Sequence, residues 1–226
     1  MRVRVGIAMT RILLINPNTS ERSTEMMLTV ARPLLVPGVT LRGLGAATGA
    51  AMIVDEAALV AGAAEVVRIG LAEAANADAI VVAAFGDPGV AALRVALGIP
   101  VIGIGEAAMR EAAAGGRRFG IATTTPLLVR SIEAHVRGLG LGGTFTGVRV
   151  PVGDPLTLAA NPAEQEAALA AAARACIDVD GAEAVIVGGG PLSEAAARLQ
   201  RWFGDAIVEP VPAAMRAVLW EVVGGG

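Results

Sequence analysis

Short apolar runs, rich in β-branched residues and bounded by Gly, Pro and Asn, alternate along this chain with longer alanine-rich stretches. Runs too short for helices, separated by segments long enough to be helical, are the pattern of parallel strands covered by helices on both faces. They predict strands at residues 12–15, 39–44, 79–83 and 101–104, and again at 119–123, 145–150, 184–187 and 206–208. Each half therefore holds four. Asp87-Pro88, Thr125-Pro126 and Asn161-Pro162 each set a capping side chain before a proline suited to a first helical position, and Asn161 with Glu164 has capping-box spacing. Gly115-Gly116 and Gly138 predict helix ends, and Gly142-Gly143 falls in the loop that follows.

The two halves repeat one another. GIPVIGIGEAAM from Gly98 aligns with GDAIVEPVPAAM from Gly204 at an offset of 106, ADAIVVAAFG from Ala77 with AEAVIVGGGP from Ala182 at 105, and ILLINPNTS from Ile12 with FGIATTTPL from Phe119 at 107. Two copies of one βα layout predict an α/β fold of two pseudo-symmetric, parallel-sheet lobes with a site in the cleft between them. The helix from Glu106 leads into the second half and its counterpart ends the repeat, so that final helix is expected to pack back on the first lobe. The lobes are then residues 11–107 plus 212–224, and 108–211.

Composition narrows the function. The formal charge is −3, no Lys/Arg cluster is present, and Phe 4, Trp 2 and Tyr 0 leave little to stack on bases, so no nucleic-acid partner is expected. No apolar run reaches the roughly 18–20 uninterrupted residues a bilayer span needs, and no membrane partner is expected. The arginine-rich start lacks a signal-peptide apolar core; residues 1–8 are set aside as an extension upstream of Met9, and a cytoplasmic location is the expectation. Cys176, the single cysteine, has no partner for an intramolecular disulfide.

In parallel α/β sheets ligands bind beyond the carboxyl ends of the strands, where loops offer backbone N–H groups and helix N-termini. The repeat identifies those loops as 16–20, 84–86, 123–125 and 188–190. Facing one another, they would surround a cleft of hydroxyls, amides and bare backbone suited to a small carboxylate or imide. Asn16, Ser20, Phe85, Gly86, Thr123, Thr124, Gly189 and Gly190 are the candidate substrate-binding residues.

These loops carry INPNTS at 15–20, FGDPG at 85–89, GIGEAAM at 103–109, TTT at 123–125 and a glycine run after AVIV. Together the motifs, spread from Arg11 to Val223, resemble hydantoin and allantoin racemases of the aspartate/glutamate/hydantoin racemase superfamily. The resemblance implies cofactor-independent proton transfer at a carbon made acidic by a neighbouring carbonyl. One thiolate removes the proton, a thiol on the opposite face returns one, and hydroxyl and N–H donors hold the enolate oxygens. It also implies a homo-oligomer, and neither a metal nor another cofactor is expected.

The family's first cysteine immediately precedes FGDPG, which places Ala84 there, and its second follows the glycine after the AVIV-like strand, which places Gly189 there. Neither residue can carry a proton, so two-thiol racemisation is not expected. Arylmalonate decarboxylases keep a thiol at the position of Gly189, and maleate isomerases also rely on cysteine.

Asp87 and Glu106 are the remaining weak candidates for acid/base work, although Asp87 reads most simply as a helix cap and Glu106 as a carboxylate favoured by a helix N-terminus. His135, at the edge of the apolar stripe Leu128, Ile132 and Val136, reads as a surface or interface residue. Cys176, on an apolar face with Leu169 and Ala173, reads as core. Two functions follow. One is an isomerase or racemase-family enzyme acting on a small carboxylate or hydantoin-like carbonyl compound without cysteine, with lyase or decarboxylase chemistry as a variant. The other is a non-catalytic relative that binds a small anion.

Overall fold

The computed structural model of the protein describes residues 9–224, and the segment 1–8 set aside above lies outside them. The first half runs β1 (Thr10–Asn16), α1 (Glu21–Ala31), β2 (Val39–Gly45), α2 (Glu56–Glu73), β3 (Ala79–Val82), α3 (Val90–Ala96), β4 (Val101–Gly103) and α4 (Ile104–Ala112). The second runs β5 (Phe119–Ala122), α5 (Val129–Gly138), β6 (Phe145–Arg149), α6 (Pro155–Ala160), α7 (Pro162–Asp178), β7 (Ala184–Val187), α8 (Ser193–Phe203), β8 (Ile207–Val208) and α9 (Pro210–Leu219).

Every predicted strand is present, within about two residues at its ends. They form two parallel four-stranded sheets, ordered β2-β1-β3-β4 and β6-β5-β7-β8. The sheets share their register: Ile12 pairs with Ala79 in the first, and their repeat equivalents Phe119 and Ala184 pair in the second. β1 and β3 lie inside their sheet and are buried on both faces, which is why they read as unbroken apolar runs; β2, at an edge, is only partly covered.

The lobes exchange helices. α4 follows β4 of the first sheet but also contacts β7 and β8 of the second, while α9, which ends the second repeat, packs on α4, α1, β3 and β4. One apolar core accordingly runs through both lobes, joining Leu14, Met27 and Val81 to Phe119, Ile186 and Met215. Burial of this kind stabilises by roughly 25 cal/mol per Å² of apolar surface, so separating the lobes would expose both.

The expected proline-led caps are corrected by the structure. Pro126 and Pro162 do begin helical turns, but Thr125 and Asn161 make no side-chain capping bond. The Thr125 hydroxyl pairs with that of Thr123, and the Asn161 amide donates back to the Thr157 carbonyl, so the capping box with Glu164 does not form. Pro88 lies outside α3, which begins two residues later after Gly89. Side-chain caps are instead supplied by Ser20, Asp55 and Asp154, each accepting an N–H three residues on.

Candidate functional site

The carboxyl ends of both sheets open on one cavity of about 60 Å³, several times the roughly 10–15 Å³ that one water needs. The loop after β1 contributes Asn18, the turn after β3 Ala83 to Gly86, the end of β5 Thr123 to Thr125, and the turn after β7 Gly188 to Leu192. Met52, Ile53 and Leu59 close it from the β2–α2 connection and the first turn of α2, and Leu128, Ser131 and Ile132 close it from the start of α5. The Ser131 hydroxyl donates to Glu56 at 2.8 Å, tying α5 of one lobe to α2 of the other beside these walls.

Of the residues expected in the site, Ala84, Phe85, Gly86, Thr123, Thr124, Gly189 and Gly190 line this cavity together. Asn16 and Ser20 stand behind it. Asn16 is fully buried, and its amide nitrogen donates to Asn18 Oδ1 at 2.9 Å, to Thr24 Oγ1 at 2.9 Å and to the Ser20 carbonyl, while its Oδ1 accepts the Asn18 N–H. It fixes the shape of the loop that presents Asn18. Ser20 caps α1, its Oγ accepting the Ser23 N–H at 3.1 Å. Asn18, in the same motif, is not among the residues the sequence points to, and no periodicity marks Met52 or Ile53. Leu128 and Ile132 belong to the apolar stripe, whose upper end faces the cavity.

In the wall of this cavity, Thr124 has hydrogen-bonding capacity unspent. It is 1% exposed, its Oγ1 has no hydrogen-bond partner, and it faces the cavity. A buried hydroxyl without a partner costs on the order of 1–3 kcal/mol, a cost that a bound carbonyl or N–H would relieve. Thr123 and Thr125 satisfy each other at 3.1 Å.

Ala84 and Gly189, the positions that the sequence resemblance assigns to thiols, differ in backbone. Ala83 and Gly188 are equivalent, each donating its N–H to the neighbouring central strand at 2.8 Å, to Ile15 and Ala122 respectively. One residue further, Ala84 keeps an ordinary conformation, whereas Gly189 has φ +136, a conformation L side chains rarely adopt. At Gly190 a Cβ would lie 2.5 Å from the Met27 sulfur and 2.8 Å from the Ala83 carbonyl, so the turn also relies on glycine to approach the first lobe.

The carboxylates lie elsewhere. Asp87, at φ 48, is the one non-glycine residue with positive φ among the described residues. Its oxygens accept the N–H groups of Gly105 at 2.8 Å and Glu106 at 2.6 Å, so it caps the start of α4 and not the helix after Pro88. Burial pushes its carboxyl up to about 7, against those two N–H bonds, which hold it down. His135, expected at the surface or an interface, turns inward from α5 toward the first lobe and sets Nε2 3.5 Å from Asp87 Oδ2; burial lowers its own pKa. Glu106 is paired with Arg94 at 2.9 Å and Arg110 at 2.8 Å. Burial opposes its ionisation, but the two guanidinium groups outweigh it and hold the carboxyl below its usual range. Neither Asp87 nor Glu106 is in the cavity wall. Cys176 is buried behind the second sheet among Leu169, Ala173 and Val185, where desolvation first and Asp180 second push its thiol up to about 11. It is core, as its helical position predicts.

Residues 12–218 match the protein family described as Asp/Glu/Hydantoin racemase. The chain belongs to that family. Among relatives of the family, a hydantoin racemase of Paenarthrobacter aurescens is 31% identical over 213 residues, 91% of this chain and 88% of the relative. The allantoin racemase of Klebsiella pneumoniae superposes with a TM-score of 0.90 at 28% identity, over 96% of this chain and 89% of that one. A maleate isomerase of Pseudomonas putida S16 has a TM-score of 0.70 at 16% identity over 95% and 93% of the two chains, a likeness of fold alone. Among the described residues, those lining the cavity of this racemase-family chain include no cysteine.

Proposed function

We propose that the inter-lobe cavity binds a small cyclic imide or related carbonyl compound, of the kind the named hydantoin and allantoin racemases act on, and does so without side-chain acid/base catalysis. The observation that carries this reading is the chemistry of the wall: among the described residues lining the cavity there is no ionisable side chain. Proton transfer from carbon needs a group that changes protonation near neutral pH, held within hydrogen-bond reach of the carbon. Asp87, Glu106, His135 and Cys176 all lie outside the wall.

The same wall argues for a ligand core that is uncharged. A carboxylate buried without a cation keeps a large desolvation cost that hydrogen bonds repay only in part. An imide ring asks for donors and acceptors, which Asn18, Thr124 and the backbone of the two turns supply, and for apolar cover, which Phe85, Ile132 and Leu192 supply. Calorimetric titration of hydantoin and of succinate tests the reading. Hydantoin is expected to bind more tightly, and Thr124→Val to weaken it by about 3–10-fold, the worth of one hydrogen bond. Tighter binding of succinate, or hydantoin binding untouched by Thr124→Val, contradicts it.

A further inference from the structure

A second cavity, of about 230 Å³, adjoins the first, and the two share Met52 and Pro191 as walls. Ser20, expected in the substrate site from sequence, lines this outer space and not the inner one. It shares the outer wall with Ser23, Arg22 and Gln165. Gln165 is only 8% exposed, yet its side-chain amide makes no hydrogen bond to any described residue. An amide with two donors and one acceptor that borders the cavity and has no protein partner is free to bond a polar group placed there. Arg22 is exposed, at the start of α1, with no carboxylate within 4.0 Å among the described residues. The outer wall also holds Glu194 and Arg198. Arg198 is bonded to Glu166 and lies 3.8 Å from Glu194, so those charges are answered locally and the unanswered charge is the cation of Arg22.

We infer that the outer cavity is a second subsite, continuous with the inner one past Met52 and Pro191, that takes a carboxylate-bearing substituent of the ligand on Gln165 and Arg22. The inference rests on the inner cavity holding the ligand's carbonyl core. The division of labour follows from the two walls: no ionisable group inside favours a neutral ring there, and an unpaired guanidinium with an unspent amide outside favours an anion. Met52 stands at the junction, so its rotamer sets how freely a substituent crosses.

Calorimetric titration of hydantoin and of hydantoin-5-acetic acid separates the two claims. The acid is expected to bind the full chain ~10-fold more tightly than hydantoin, an advantage of about 1.4 kcal/mol. Arg22→Ala and Gln165→Leu are each expected to remove most of that advantage while leaving hydantoin itself within about twofold of its original affinity. Arg22 is exposed, so its variant tests the subsite without a folding cost. An advantage that survives Arg22→Ala and Gln165→Leu overturns the subsite, as does equal affinity of the two ligands for the unaltered chain. If hydantoin binds and the acid gains nothing, the subsite alone fails. If neither binds, the reading of the inner cavity fails with it.

Discussion

At Asp87 a carboxyl only 5% exposed sits in a left-handed backbone conformation, held by two N–H groups of α4 and faced by His135 from the other lobe. Its folded-state pKa of about 7 stands above the ordinary 3.8, so the folded chain keeps a proton that the unfolded chain releases. Folding is therefore coupled to proton binding between about pH 4 and pH 7, and this group's stabilising contribution is complete at the low end and lost as pH rises through 7. Thermal unfolding followed across that window is expected to show the melting temperature falling with pH, with Asp87→Asn flattening the slope. An identical slope in the variant would show that Asp87 is ionised throughout. The sequence showed an aspartate built to cap a helix, and it does cap one. The first N–H it accepts, from Gly105 in the helix after β4, lies 18 residues further along, and local spacing carries no sign of that.

At the scale of elements, the interior strands were legible because a strand buried on both faces must be apolar throughout. The turns that build the cavity were legible as motifs but not as shapes. NPNTS marks the loop after β1, yet its first asparagine is the scaffold and its second faces the cavity, a distinction set by which amide reaches Thr24. The β2–α2 connection, which brings Met52 and Ile53 to the wall, has no periodicity from which its path could be read. The glycine turn after β7 shows why its chemistry and conformation go together. Gly189 occupies a conformation that costs an L residue on the order of 1–3 kcal/mol, whereas Ala84 carries a Cβ already. Gly189→Cys is expected to lower stability by about that amount in chemical denaturation and Ala84→Cys to change it by less than about 1 kcal/mol. Equal losses at the two positions would mean that the turn rearranges freely to accept a side chain.

At the scale of the whole molecule, the internal repeat carried the most information, because duplicated sequence dictates duplicated topology and so places four loops at one cleft. What the repeat could not reveal is how the copies differ where they meet. Ala84 and Gly189 are equivalent in sequence and unlike in backbone, and the helices α4 and α9 cross between lobes to join a single core. Around that core the chain keeps the family's fold, and among the described residues the walls of the inter-lobe cavity are apolar and hydrogen-bonding with no ionisable side chain. The most direct test is proton NMR of enantiopure 5-isobutylhydantoin in D₂O with a substantial fraction of protein present. The ligand's resonances are expected to broaden, from binding, with the C5 proton disappearing no faster than in buffer alone. Loss of that proton at a rate proportional to protein concentration would contradict this expectation, because some group of this cavity would then be moving a proton at carbon.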